Sequence, residues 1–211
     1  MIAVIDYELG NVGSVLNMLK KLNIEAILTN KPNDLKRAKG LILPGVGSFD
    51  RGMKQLQKYD LVSVLNNIVM EKGKPCLGIC LGMQLMGQAS EEGDMSGLGW
   101  IDSIVRLFQR DPDRPRLRIP HMGWNLVKPT HVDFPLLSGL ERQARFYFVH
   151  SYFYPADLKY GAATTEHLVP FTSVLSRGNV YGCQFHPEKS HSFGLKLLSN
   201  FYSIASQSHC E

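Results

Sequence analysis

The stretch Lys74-Pro-Cys-Leu-Gly-Ile-Cys-Leu-Gly-Met-Gln84 decides how this chain folds. Its first half, Pro75 to Ile79, is a short apolar run of the kind that forms a buried strand, and Gly82 to Met86 opens a helical pattern whose spacing reaches about Ala89. Cys80 therefore sits where strand must turn sharply into helix. Gly78 and Gly82 flank it in Gly-Ile-Cys-Leu-Gly, the cysteine form of the Gly-x-Ser-x-Gly nucleophile elbow. Such a bend brings backbone segments too close together for a Cβ at the flanking positions, and it strains the central residue so that the sulfur is lifted out of the core. It also aims the first amides of the following helix at the reacting centre, where the positive end of the dipole favours a thiolate. A buried, inert cysteine is the competing reading of Cys80 taken alone.

The chain on either side repeats the strand-to-helix unit. Ile2 to Asp6, Ile24 to Leu28 and Gly40 to Leu43 read as strands, and Val12 to Leu22, Pro32 to Ala38, about Phe49 to Gln57 and Leu61 to Lys72 read as helices. That alternation predicts an α/β fold with a mainly parallel central sheet flanked by helices. Ligands of such sheets meet the loops that leave the carboxyl ends of strands, which puts Gly10-Asn11, Pro44 to Ser48 and the elbow on one edge. After Gly93 glycine and proline become frequent and the strands shorten. Ile104 to Gln109, Asn125 to Val127, Arg145 to Phe153, Gly161 to Glu166, Phe171 to Leu175 and Val180 to Phe185 predict a smaller antiparallel sheet in the C-terminal half. Phe193 to Ala205 closes the chain as an amphipathic helix. With no internal repeat or low-complexity linker, residues 1–211 are expected to form a single domain. A chain of that length buries roughly 70% of its unfolded surface and needs no disulfide or metal staple.

A net charge of +4 with mixed signs argues against nucleic acid or a membrane surface as partner. No run approaches the ~18 apolar residues of a spanning helix. Met1-Ile-Ala-Val-Ile-Asp6 enters a strand without a basic leader, so the expected compartment is the cytoplasm. Cys76, Cys80, Cys183 and Cys210 lack paired spacing and are expected as free thiols. The arginine-rich loop Arg110 to Arg118 reads as solvated surface, with a partner contact as the alternative.

A thiol acting on an acyl group needs a base to hold it as thiolate and to protonate the leaving amine. Among seven histidines, His186 in Gln184-Phe-His-Pro-Glu188 stands out. Pro187 pushes His186 into an extended conformation, and residues two apart in extended chain project to one side, so Glu188 can orient the imidazole. Cys80, His186 and Glu188 are thus the candidate nucleophile, base and orienter. Oxyanion donors are expected from Leu43-Pro-Gly-Val-Gly-Ser-Phe49, whose glycines allow unusual peptide orientations, and from the amide of Leu81 beside the nucleophile. A plain turn is the other reading of residues 45–47. Neither a phosphate loop nor a dinucleotide fingerprint is present. Zinc on Cys183 and His186 would lack a second ligand pair, so neither metal nor cofactor is expected.

Taken together, Pro-Gly-Val-Gly (44 to 47), Gly-Ile-Cys-Leu-Gly-Met-Gln (78 to 84) and His-Pro-Glu-Lys-Ser (186 to 190) resemble the class I, triad-type glutamine amidotransferases. Asp6-Tyr7 with Gly10-Asn11 and Ser14-Val15, His121-Met-Gly-Trp-Asn125 and Tyr147-Phe-Val-His-Ser-Tyr152 are similar to the glutaminase subunits of imidazole glycerol phosphate synthases. The resemblance implies hydrolysis of glutamine through a γ-glutamyl thioester on Cys80, with Gln84, Glu92, Ser151 and Tyr152 holding the amino-acid end, and it narrows the oxyanion loop to Gly45, Val46 and Gly47. It also implies a heterodimer with a (β/α)₈ synthase subunit of histidine biosynthesis that receives the ammonia, docked on the stretch holding Pro120, Met122 and Trp124. Glu8 stands where that family usually has glycine, and Gly97-Leu-Gly-Trp-Ile-Asp102 is similar to paralogous glutaminases that serve amidation of surface sugars. A different acceptor, or a cysteine hydrolase acting alone, are the alternatives.

Overall fold

The computed structural model describes residues 1–130, 134–141 and 143–207; Cys210 lies outside them. The first half alternates as the pattern predicts: β1 (Ile2–Ile5), α1 (Val12–Lys21), β2 (Ala26–Thr29), α2 (Pro32–Arg37), β3 (Gly40–Gly45), α3 (Phe49–Lys58), α4 (Leu61–Leu65), β4 (Cys76–Cys80) and α5 (Leu81–Gln84). α4 runs on into a π-helical turn over Asn66–Glu71. The second half adds β5 (Ala89–Ser90), β6 (Ile104–Leu107), β7 (His121–Leu126), β8 (Lys128–Pro129), β9 (Arg145–His150), β10 (Tyr152–Pro155), β11 (Gly161–Glu166), β12 (Pro170–Arg177), β13 (Val180–Cys183) and the closing α6 (His191–Gln207).

One mixed sheet runs β2-β1-β3-β4-β13-β12-β10-β6-β5, with β11 on β12 and β8 on β11. From β2 to β13 every pairing is parallel, and β12, β10 and β6 then continue antiparallel. The antiparallel strands of the C-terminal half thus mostly extend the central sheet, while β7 and β9 form a small antiparallel ribbon of their own. The single strand predicted over Arg145 to Phe153 is divided at Ser151, where the chain leaves that ribbon and enters the main sheet.

Strand alternation sorts the core. Ile2, Val4, Leu77 and Ile79 face one cluster with Val15 and Leu19 of α1 and Leu198 and Phe201 of α6. Ala3, Ile5, Leu41 and Cys76 face the other, beneath α2 to α5. Helices therefore cover both faces of the parallel part, which is why β1, β3 and β4 at its centre are buried throughout.

The helix after the elbow is one turn long, not the two that the spacing predicts. Continuing it would require the carbonyls of Leu85, Met86 and Gly87 to accept from within the helix. They accept instead from Leu98, Ile101 and Gly99 of the returning loop, at 2.8–2.9 Å. Ala89–Ser90 is thereby freed to pair with β6. A one-turn helix offers amides at its start but little of the long dipole that the sequence suggested.

Candidate active site

The parallel register of β3 on β4 sets Gly45 beside Cys80 at the carboxyl ends of the two strands. Cys80 has φ +53° and ψ −110°, a region costly for a side-chain-bearing residue. Strand parity would send its side chain with Cys76; the twist turns it instead to the cluster of Leu77 and Ile79. The flanking glycines are required by contact. A Cβ on Gly82 would lie 1.8 Å from the carbonyl oxygen of Leu43, and one on Gly78 would lie 2.6 Å from the amide of Met83. Burial pushes the Cys76 thiol up, leaving it an inert core residue.

His186 sits in extended backbone just past β13, with φ −103°. Glu188 reaches it from a 3-10 turn, Pro187–Lys189, rather than from extended chain, and its Oε1 lies 2.8 Å from His186 Nδ1. Both side chains are almost fully buried, at 1% and 2% exposure, so this pair works in a low dielectric. Burial alone disfavours the imidazolium, but the neighbouring Cys80 and Glu188 favour it more, and the His186 pKa is raised to about 10. Its Nε2 makes no hydrogen bond of good geometry among the described residues, leaving that nitrogen free for a reacting group.

The segment leaving β3 is held from below. Tyr7, fully buried at the end of β1, donates its hydroxyl to the carbonyl of Pro44 at 2.5 Å. Burial pushes that phenol's pKa up, with the neighbouring Cys80 adding to the effect, so it remains a donor. Gly47 adopts φ +114°, which its lack of a Cβ permits, and Val46 is exposed. Glu92 anchors the far end of the segment, accepting from the amide of Phe49 at 2.8 Å at the start of α3. Its carboxyl pKa is raised, mainly by burial and also by Asp50, against the lowering effect of that amide.

A cavity of about 300 Å³ joins these parts; its walls include Val46, Gly47, Cys80, Leu81, His186 and Glu92. Gln84, Pro120, Ser151 and Tyr152 complete the set that sequence singled out at its edge. Gly45 lies just behind, where a Cβ would come within 2.8 Å of the amide of Gly82 and of the Cβ of Leu81. Gln84 is 5% exposed, and its amide donates to the carbonyl of Tyr152 and to Gln184 Oε1, both at 3.0 Å.

Two contacts escaped the sequence reading. Gln184 donates to the Cys80 sulfur at 3.7 Å; the parity argument that singled out His186 and Glu188 applies equally two residues earlier. Tyr7 entered the sequence reading only within Asp6-Tyr7, one of the stretches of the resemblance, with no role of its own. Of the expected docking stretch, Pro120 opens on the cavity, whereas Met122 and Trp124 face outward, at 63% and 44% exposure. Trp124 stacks flat on His191, ring centroids 5.3 Å apart. Cys183 is buried in the core, its sulfur 3.6 Å from the carbonyl of Phe185.

The model of the family described as glutamine amidotransferase class-I matches residues 3–205. The chain is 50% identical over 205 residues to imidazole glycerol phosphate synthase subunit HisH 2 of Pseudomonas aeruginosa, covering 97% of this chain and 100% of that one. It is likewise 50% identical to the subunit HisH 2 of Methanococcus maripaludis, over 97% of this chain and 100% of that one, and 43% identical to subunit HisH of Bdellovibrio bacteriovorus with the same coverage. Among solved structures it is similar in fold to a protein described as a glutamine amidotransferase, with TM-score 0.74 and 19% identity over 98% of this chain and 100% of that one. A putative GMP synthase protein from Thermoplasma acidophilum gives TM-score 0.72 and 19% identity over 99% and 94%.

Proposed function

Since the chain belongs to the glutamine amidotransferase class-I family, we propose that it releases ammonia from glutamine through a thioester on Cys80, and hands it to a (β/α)₈ synthase subunit bound as a heterodimer. Likeness over nearly the whole chain to subunits of one name makes it an enzyme, the glutaminase subunit of an imidazole glycerol phosphate synthase in histidine biosynthesis, and so a protein that works with a partner subunit. We read it as a single-domain protein of the cytoplasm, where biosynthetic work of that kind is carried out. Among the described residues, no helix is long and apolar enough to cross a membrane.

The reading of the site rests on one observation: the Cys80 elbow, the buried His186–Glu188 pair and the residue 45–47 segment converge on a single cavity. In the first half-reaction the Cys80 sulfur, giving its proton to His186, attacks the side-chain carbonyl carbon of glutamine. The amide of Leu81 and one from residues 45–47 receive the developing oxyanion. Collapse breaks the C–N bond as His186 gives its proton to the departing nitrogen, so ammonia leaves. Water, deprotonated by His186, then cleaves the thioester to glutamate and restores the thiol. Glu188 steadies the imidazolium throughout. Glu92, with Gln84, Ser151 and Tyr152, would hold the amino-acid end, the Glu92 carboxylate facing the α-ammonium.

Met122 and Trp124 are large apolar side chains exposed on one strand, as an interface anchor would be, and they sit beside the Pro120 wall of the cavity. A second reading keeps the chemistry and changes the acceptor. It is favoured by Gly97-Leu-Gly-Trp-Ile-Asp102, the stretch similar to glutaminases that serve another synthase. Glutamate release from L-glutamine, measured with and without a candidate barrel partner and its nucleotide ligand, tests the proposal. Wild type is expected to be slow alone and strongly stimulated by the partner, and Cys80→Ala to be inactive in both. Full activity in Cys80→Ala would end the proposal, ester or peptide hydrolysis without any partner would favour a stand-alone hydrolase, and failure to rescue a histidine auxotroph would favour the other acceptor.

A further inference from the structure

β7 and β9 pair with His121 opposite His150, and both imidazoles are buried, at 4% and 6% exposure. His150 Nδ1 lies 2.8 Å from the carbonyl oxygen of Tyr152. A carbonyl only accepts, so Nδ1 carries the proton and Nε2 is left as an acceptor. His121 Nδ1, 3.0 Å from that Nε2, must then donate, which makes His121 Nε2 an acceptor in turn. The Asn125 amide fills it at 3.2 Å and also donates to the carbonyl of Glu166 at 2.8 Å. Only one arrangement of protons satisfies every link, and it requires both rings to be neutral. Burial first, and neighbouring histidines second, lower both pKa values to about 3, which keeps the rings in that state.

The last link closes over Ser151, where the chain passes from the β7–β9 ribbon into β10. Ser151 and Tyr152 both line the cavity, and the Tyr152 carbonyl takes a second donor from Gln84. We infer that His121 and His150 are positioning residues for substrate: through fixed tautomers they hold the Ser151–Tyr152 turn against the cavity, so that it meets the amino-acid end of glutamine. The inference rests on the glutaminase reading above and assigns these two histidines no part in bond breaking.

The test compares His150→Phe, which keeps the ring volume without a donor, with His150→Asn, whose amide nitrogen takes the place of Nδ1. In the full chain with its partner, His150→Phe is expected to raise KM for glutamine about 10-fold, in proportion to one lost hydrogen bond of ~1.4 kcal/mol. Its kcat should change far less, and Cys80 alkylation by iodoacetamide, which needs no such turn, should stay within about 2-fold. His150→Asn should return KM to within about 3-fold of wild type. An unchanged KM in folded His150→Phe, no rescue by His150→Asn, or alkylation falling in step with KM would overturn the inference. Should His150→Phe not fold, His121→Phe breaks only the distant link and is expected to raise KM in the same direction. ¹⁵N NMR of the wild-type imidazoles should find the proton on Nδ1 in both; an Nε2–H tautomer at His150 refutes the relay even if no glutaminase activity is detected, while an inactive wild type would count against the glutaminase reading instead.

Discussion

Gly82→Ala adds one methyl group where the elbow has no space for it. The new Cβ would fall 1.8 Å from the carbonyl oxygen of Leu43, whereas real Cβ atoms essentially never come within 3.0 Å, so the elbow and β3 must part by about 1.2 Å. The obstacle is backbone, and β3 is tied to β4 in register from Leu41 to Gly45, so no side chain can rotate aside. The displacement opens the space between Leu81 and residues 45–47, where the oxyanion donors are placed. Misplacement of reacting groups by ~1 Å costs about 10²-fold in rate, and overpacking of this kind costs about 1–3 kcal/mol of stability. For a chain of this size ~2 kcal/mol corresponds to a fall in Tm of roughly 4–8 °C. Glutamate release with partner present gives kcat/KM, and thermal unfolding gives Tm. Gly13→Ala is the control: it lies in α1 with nothing within 4 Å of a new Cβ, so it should leave activity unchanged and stabilise by up to ~1 kcal/mol. Gly82→Ala within about 3-fold of wild-type activity and ~1 °C of its Tm would show that the close approach is not what shapes the site.

Glu188→Gln keeps the side-chain volume but removes the charge that steadies the imidazolium, and kcat for glutamine should fall by about 10²–10⁴; a loss under 3-fold in steady-state assays would contradict the role given to Glu188. Tyr7→Phe leaves the Pro44 carbonyl without its donor, which should cost about 1–3 kcal/mol in urea denaturation and lower kcat, and an unaltered midpoint would refute the clamp. The buried histidines predict opposite pH dependences. His121 and His150 have pKa values lowered to about 3, so the stability they contribute is complete above the unfolded value near 6.5 and drains away as pH falls towards 3. His186, raised to about 10, contributes fully below the unfolded value and loses that contribution as pH rises from ~6.5 towards 10. Each proton difference is worth up to ~1.4 kcal/mol per pH unit. Urea midpoints should show a flatter acid limb in His121→Phe/His150→Phe and a flatter alkaline limb in His186→Asn, and superposable curves would exclude the assignment.

What sequence alone determined here is what neighbours along the chain impose on one another. Apolar period and turn residues marked β1 to β4 with their helices, glycines two residues either side of Cys80 marked the elbow, and Glu188 two residues after His186 marked the pair. These are constraints of sterics and short reach, and they survive without knowledge of the fold. Tertiary structure alone decided where buried polar groups find partners. The elbow helix ends after one turn because a loop more than ten residues away takes its carbonyls, the predicted strand 145–153 breaks at Ser151 because its halves pair in different sheets, and Tyr7 meets Pro44 across 37 residues of chain. The tautomer of His121 belongs to the same class, since an acceptor nitrogen on His150, 29 residues away, sets where its proton lies. Hydrogen bonds buried from water must be satisfied by whatever the packed chain brings within about 3 Å, and sequence spacing carries no record of that.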